Sequence, residues 1–169
     1  FNLPSIELLN YEADDLIATY AKIITDAGAK VTITSSDKDL MQLVSNEIRL
    51  FDPMKSKVIT EKEVFEKFGV KPEQVIDVQS LAGDTSDNIP GVPGIGVKTA
   101  AELINKYKTL DNLLKNASEI PQNKRRETLL TNKEKAILSK KLVTLKDDVP
   151  IKNDPSEFLI KKIDKEKLY

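Results

Sequence analysis

Histidine, cysteine and tryptophan are all missing from this 169-residue chain. Without cysteine there is no disulfide framework, no thiol nucleophile and no thiolate zinc site. Without histidine the usual general base, the Ser-His triads and the imidazole metal ligands disappear together. What remains for chemistry is carboxylate, amine, hydroxyl and bound metal. Aromatic residues make up only 5%, so aliphatic side chains must supply most of the core. No run of roughly eighteen apolar residues occurs to span a membrane, and no charged-then-apolar start reads as a signal peptide. A cytoplasmic protein with no membrane partner is expected. The chain starts with Phe1 rather than Met, which suggests a piece of a longer polypeptide.

Charge is abundant but balanced, at 31% of residues with a net of −1. No global field draws in nucleic acid, so any such attraction must come from local asymmetry. That asymmetry exists. Carboxylates gather at Glu12, Asp14 and Asp15, at Asp37 and Asp39, and at Asp84 and Asp87, whereas lysine and arginine dominate after residue 98.

Periodicity places these clusters on elements. Apolar residues at 13, 16, 17, 20, 24 and 27 predict a helix that Gly28 stops. Lys30–Thr34 alternates like a strand, which puts Asp37 and Asp39 just beyond its carboxyl end, where open α/β sheets bind ligands. Leu40, Leu43 and Val44 suggest a short helix, and Ile48–Phe51 with Val58–Ile59 suggest strands around the Asp52-Pro53 turn. Thr60 and Glu63 form a capping-box pattern for a helix that Gly69 ends. Pro72, Val75, Ile76 and Leu81 predict a helix running to Gly83. After the glycine-rich turn, Ala100, Leu103, Ile104 and Tyr107 share one helical face. Further helices are expected at 110–115 and 122–141, the latter with a Thr131/Glu134 capping box, and Leu142–Leu145 reads as a returning strand. The tail at Lys161–Lys167 is too charged to place. An α/β part, residues 1–70, would give way to a mainly helical part, residues 71–169.

Each acidic cluster has an ordinary explanation. Acids favour the first helical turn by about 0.3–1 kcal/mol each, which suits Glu12, Asp14 and Asp15. Asp37 could cap the next helix, and Asp84 and Asp87 could be turn formers. Together they are harder to explain so simply. Two unit charges about 4 Å apart repel by about 4 kcal/mol at an effective dielectric of about 20. Either the clusters lie apart in space, or divalent ions hold them together through all-oxygen ligands.

The stretch Gly91-Val-Pro-Gly-Ile-Gly-Val97-Lys98-Thr99 has a rival reading as a nucleotide P-loop. A P-loop needs its lysine directly after the last glycine of Gly-x4-Gly, and here Val97 intervenes. A hairpin between two helices fits better. Amides of Gly94, Ile95, Gly96 and Val97 and the positive end of the next helix can bond a phosphate. Lys98, Lys106 and Lys108 would add sequence-independent contacts. The basic run Asn123-Lys-Arg-Arg-Glu127 reads as a solvated helix face.

Four segments, Tyr11-Glu-Ala-Asp-Asp15, Thr34-Ser-Ser-Asp-Lys-Asp-Leu40, Leu81-Ala-Gly-Asp-Thr-Ser-Asp-Asn88 and Gly91-Val-Pro-Gly-Ile-Gly-Val-Lys-Thr-Ala100, closely resemble the 5′-nuclease family. The resemblance is to flap endonucleases and 5′–3′ exonucleases of the bacterial DNA polymerase I type, and it runs from about residue 1 to residue 150. It implies a partial PIN-like (Rossmann-like) α/β core followed by a helix–hairpin–helix-type DNA-binding module. It implies cleavage of duplex DNA at 5′ flaps or 5′ ends with two or more Mg2+ or Mn2+ ions, and a polymerase region following in the full protein. The setting would be bacterial, cytoplasmic and nucleoid-associated.

By the same resemblance Glu12, Asp14, Asp15, Asp37, Asp39, Asp84 and Asp87 are catalytic metal ligands, direct or through water. Gly91, Gly94, Ile95, Gly96, Val97, Lys98 and Thr99 are the duplex-binding element, which in the family often holds K+. The family's first strand, a second aspartate-bearing strand and its basic helical arch have no counterpart here, so the isolated chain is expected to be inactive or feeble. Asn10 stands where the family usually has glycine. A non-catalytic duplex-binding module is the competing class, and a toxin-type PIN ribonuclease is disfavoured by the glycine hairpin.

Overall fold

Glu12 and Asp15 form a capping box at the start of helix α1 (Ala13–Asp26), with the Glu12 amide donating to Asp15 Oδ2 at 3.4 Å. The computed structural model describes residues 4–152 and 154–159; the charged tail at Lys161–Lys167 lies outside them. α1 buries Leu16, Ala18, Thr19, Tyr20 and Ala21; of the predicted stripe only Leu16 and Tyr20 are buried, Ile17 and Ile24 are half-buried, and Ala13 and Ala27 are exposed. Asn10, just ahead of it, has φ +71. A glycine adopts that left-handed conformation without steric cost, and asparagine is among the side chains that tolerate it.

Three strands form one sheet in the order β1 (Val31–Thr34), β2 (Ile48–Asp52), β3 (Lys57–Ile59). β1 and β2 are parallel, with Val31 opposite Ile48 and Ile33 opposite Leu50. β2 and β3 are antiparallel, with Leu50 opposite Ile59. The crossover from β1 to β2 carries a 3-10 turn at Asp39–Leu43, so Asp37 and Asp39 leave the sheet at the carboxyl end of β1. Thr60 and Glu63 then cap α2 (Glu61–Phe68), and Gly69 ends it. Thr60 donates its amide to Glu63 Oε2 at 2.9 Å and its hydroxyl at 2.6 Å, and those bonds hold the Glu63 carboxyl down at about 2.

The remainder is helical. A 3-10 turn at Pro72–Gln74 leads into α3 (Val75–Ala82), followed by α4 (Val97–Tyr107), α5 (Leu110–Lys115), α6 (Asn123–Thr131) and α7 (Lys133–Val143). α3 lies between α4 and α7 and has Val75, Val78 and Leu81 fully out of water. Truncating such a leucine to alanine costs about 2–5 kcal/mol. One continuous core runs from Ile33, Leu40 and Leu50 through Val64 and Val78 to Ile104, Leu113 and Leu129. Buried Asp77 staples this part together. Its Oδ1 meets Lys140 Nζ of α7 at 3.0 Å, and its Oδ2 accepts from the Leu110 amide of α5 at 3.1 Å.

Two expectations fail. The 122–141 helix is broken at Asn132, whose side-chain amide turns back to the Thr128 carbonyl at 2.9 Å. Thr131 is then the last residue of α6, so no Thr131/Glu134 box forms and α7 starts without a side-chain cap. The returning strand at Leu142–Leu145 is also absent. Leu142 and Val143 complete α7, and the Leu145 amide donates to Gln42 Oε1 at 3.3 Å instead of to a strand. Gln42 also donates to the Val143 carbonyl at 3.0 Å, which closes that helix end.

Candidate metal centre

Three separate turns deliver the acids. The start of α1 carries Glu12 and Asp14. The turn after β1 carries Asp37 and Asp39 and is set by two short-range bonds: Asp37 N donates to Ser35 Oγ at 3.0 Å, and Asp39 N to Asp37 Oδ1 at 2.9 Å. Asp37 therefore does act as a turn former, with only one of its oxygens.

The loop after α3 carries Asp84 and Asp87. Asp84 and Ile89 exchange backbone bonds of 2.9 and 2.7 Å, and Asp84 Oδ1 accepts from the Ser86 amide and hydroxyl. At the base of this loop, Gly91 lies so close to Gly83 that a Cβ on it would stand 2.5 Å from Gly83 N. Only glycine fits there, and φ +57 favours it as well.

The three turns converge. Carboxylate oxygens of Asp39, Asp84 and Asp87 lie within 4.8 Å of one another. Glu12, Asp14, Asp37, Asp39 and Asp87 line one cleft of about 470 Å3, together with Ile89, Leu142, Val143 and Leu145. Asp15 does not line that cleft. Its Oδ1 accepts from the Lys146 amide at 2.9 Å and its Oδ2 caps α1, so it anchors the segment that follows α7.

The crowding has an electrostatic cost. Burial, then repulsion from Asp37, Asp39, Glu12 and Asp15, pushes the Asp14 carboxyl up to about 6. Burial also raises Asp39, against the opposing bond from Gln79. Asp84 goes the other way, because the Lys38 ammonium bonded to it holds its carboxyl below the ordinary range. An all-carboxylate set of this kind, close-packed and with Lys38 bonded to Asp84 alone among the described residues, fits a hard divalent cation.

Two participants escape a reading of the sequence. Lys38, between the two aspartates of its turn, pairs with Asp84 on a different loop. Gln79 is 3% exposed and donates from Nε2 to Asp39 Oδ1 at 2.5 Å, leaving its own Oε1 buried without a hydrogen-bond partner among the described residues. A polar residue four positions after Val75, on the buried side of α3, was the available signal.

At the hairpin, Val92 O accepts from Ile95 N at 3.1 Å around Pro93 and Gly94, and Gly94 has φ +74. That is the geometry a Pro-Gly type II turn requires. Gly94, Gly96, Val97 and Lys98 are exposed and Thr99 is half-buried, whereas Gly91 and Ile95 are buried. Gly91 spends its amide on Ser139 Oγ at 3.0 Å, and the Ile95 side chain belongs to the core. These two support the turn from within. Arg126 likewise binds the Ile120 carbonyl and Asn123, so its helix face is not merely solvated. No helix among the described residues is long and apolar enough to cross a membrane.

Residues 1–69 match the family model of the 5′–3′ exonuclease N-terminal resolvase-like domain, and residues 70–166 that of the 5′–3′ exonuclease C-terminal SAM fold. The chain belongs to the 5′–3′ exonuclease family. It is 56% identical over 154 residues to DNA polymerase I of Rhizobium leguminosarum, covering 91% of this chain and 15% of that protein. It is 42% identical over 166 residues to the 5′–3′ exonuclease of Aquifex aeolicus, covering 98% of this chain and 56% of that protein. The chain thus spans about half the length of that exonuclease and a small part of that polymerase. Among solved structures, a T5 5′-exonuclease with zinc bound is similar at 25% identity and a TM-score of 0.79, over 84% of this chain and 53% of that one. The mixed α/β core with a helical region is therefore the fold of this exonuclease family.

Proposed function

We propose that this chain is the part of a divalent-metal-dependent 5′–3′ exonuclease and flap endonuclease that carries most of its metal ligands and its duplex-binding turn. The observation that carries the proposal is the meeting of Asp39, Asp84 and Asp87 from two distant loops within 4.8 Å, beside the cleft of Glu12, Asp14 and Asp37. Mg2+ or Mn2+, in two or more sites, is the matching cofactor, and duplex DNA with a 5′ flap or 5′ end is the substrate. Bound cations, held by these carboxylates, would supply Lewis acidity to the phosphodiester and to water, which no protein side chain supplies.

The protein's own residues do the rest. Gln79 fixes the direction of Asp39, and the Asp39 amide fixes Asp37. Leu142, Val143 and Leu145 add apolar side chains to the lining of the cleft. The exposed amides of the turn, with Lys98, hold the duplex backbone, and K+ at Thr99 and the 94–97 backbone completes that grip. In this division of labour, residues 1–70 belong to the nuclease core and the helical residues from 71 onward hold DNA. A polymerase region follows in the whole protein.

The test is Mg2+-dependent cleavage of a 5′-flapped duplex by the whole protein and its Asp39→Asn variant. Lost cleavage with retained duplex binding supports the enzyme. Undiminished cleavage removes Asp39 and the centre built on it, and leaves the chain a binding module.

A further inference from the structure

Lys38 is carried into the acidic group by its own backbone. It lies between Asp37 and Asp39 in the turn after β1, as the residue that precedes the 3-10 turn. Its Nζ crosses to the loop after α3 and pairs with Asp84 Oδ2. The pair is sheltered, with the Asp84 side chain 9% exposed and that of Lys38 33%. The other oxygen of Asp84 already accepts from the Ser86 amide and hydroxyl, each at 2.9 Å. Both oxygens of Asp84 are therefore engaged by the protein itself.

Positive charge is thus placed unevenly among the three acids whose oxygens meet within 4.8 Å. Asp39 accepts from the neutral amide of Gln79, whereas Asp84 holds a full ammonium. The charges of Asp39 and Asp87 reach that same ammonium. A divalent cation is drawn to the same oxygens, and like charges brought that close repel. Lys38 has room to yield, because its side chain also lines the adjoining cavity of about 490 Å3. Nor is Lys38 needed to aim Asp84. The Ser86 bonds and the backbone exchange of Asp84 with Ile89, at 2.9 and 2.7 Å, already fix that residue. What Lys38 adds is charge.

Resting on the nuclease reading, we propose that Lys38 is a built-in competitor for the divalent cation at Asp84. Its ammonium weakens the Asp39, Asp84 and Asp87 end of the centre, so that this end takes a cation less tightly than its carboxylates alone would. Lys38 acts here through Asp84 and is a positioning residue of opposite sign to Gln79, which supports a ligand without competing for it.

The experiment is Mn2+ titration followed by electron paramagnetic resonance, on the whole protein and its variants, so that any cation bound elsewhere contributes equally to each. Lys38→Met should tighten binding roughly five- to tenfold, from the limit of an exposed ion pair upward for one this sheltered. Lys38→Arg keeps the charge and should stay close to wild type. Lys67→Met is the control for charge in general, since Lys67 lines the same cavity and acts on Asp39 and Asp37 through space; its gain should be clearly smaller. In an Asp84→Asn background the Lys38→Met gain should shrink to the level of Lys67→Met. Thermal melts identify any variant that fails to fold, and Lys38→Gln then replaces Lys38→Met. Unchanged affinity in a folded Lys38 variant overturns the proposal, and weakened affinity does so as well, because it makes Lys38 an organiser of Asp84. Equal gains at Lys38 and Lys67, or a full gain that persists without Asp84, reduce the effect to the general field and overturn it too. Asp87→Asn separates the two levels: if it weakens Mn2+ binding while Lys38→Met does nothing, only the role of Lys38 falls, and if it leaves binding undiminished, the centre falls with it.

Discussion

Replacing Asp14 with asparagine should make the metal-free protein more stable at neutral pH and poorer at holding divalent cations. In the folded chain the carboxyl is displaced from the ordinary 3.8 to about 6, by burial and by four neighbouring acids. At about 1.4 kcal/mol for each tenfold change in proton affinity, that displacement corresponds to ~3 kcal/mol of penalty on the ionised form. Asp14 is only half-buried, so solvent screening reduces the figure to about 1–1.5 kcal/mol.

The sign follows from linkage. Because the folded pKa lies above the unfolded one, the penalty is absent below pH 3.8, grows as pH rises, and is complete above about 6. Urea unfolding in EDTA should therefore show Asp14→Asn and wild type converging near pH 4 and the variant ahead by about 1 kcal/mol at pH 7. Saturating Mn2+ should reverse the order, because cation binding stabilises only the form that binds it. A variant with no advantage at pH 7 over its position at pH 4, or with undiminished Mn2+ affinity, would show that these carboxylates do not share a site.

Gly91→Ala should destabilise the protein by roughly 3 kcal/mol or more, through a disfavoured φ and a Cβ forced against the Gly83 backbone; a loss under about 1 kcal/mol in urea unfolding would refute the close approach. Gln79→Met should be nearly neutral for stability. It removes a charge-assisted bond to Asp39 and an unpartnered buried carbonyl together, each worth roughly 1–3 kcal/mol. Its Mn2+ affinity should nevertheless fall on the order of tenfold, and an unchanged affinity in a folded variant would leave Gln79 a packing residue. Glu63, held down at about 2 chiefly by Thr60, contributes stability that is present above its ordinary 4.5 and lost as pH falls towards 2. Thr60→Ala should flatten the acid limb of the stability curve in that window, and an identical limb would contradict the capping account.

Local signals carried much of the fold. The Thr60/Glu63 box and Gly69 bounded α2 because both devices act within a few residues, and the period of α1 identified it as a helix although its buried face includes Ala18, Thr19 and Ala21, outside the predicted stripe. The same local rule misled at Thr131, where the spacing of a capping box coincided with the end of another helix. Leu142–Leu145 is equally ambiguous in isolation. Only the contact of Gln42 with Val143 and Leu145 decides that the chain leaves α7 without pairing.

The candidate site divides in the same way. That Asp37 and Asp39 follow a strand and Glu12 opens a helix is visible in sequence. That Asp84 and Asp87 reach Asp39 depends on α3 packing beside the 3-10 turn, and on the tight base at Gly83 and Gly91. Asp15 looks identical to its neighbours in sequence, yet its orientation towards Lys146 takes it out of the cleft. Gln79 matters through a partner 40 residues away.

The central claim is that acids from separate loops form one divalent-cation centre, and Asp87 tests it most directly. Its side chain is exposed, so replacing it perturbs the ligand set with little effect on folding. Mn2+ titration of the wild type and of Asp87→Asn, followed by electron paramagnetic resonance, should show affinity weakened on the order of tenfold at an unchanged melting temperature. Equal affinity in the two proteins would contradict a shared centre at Asp39, Asp84 and Asp87.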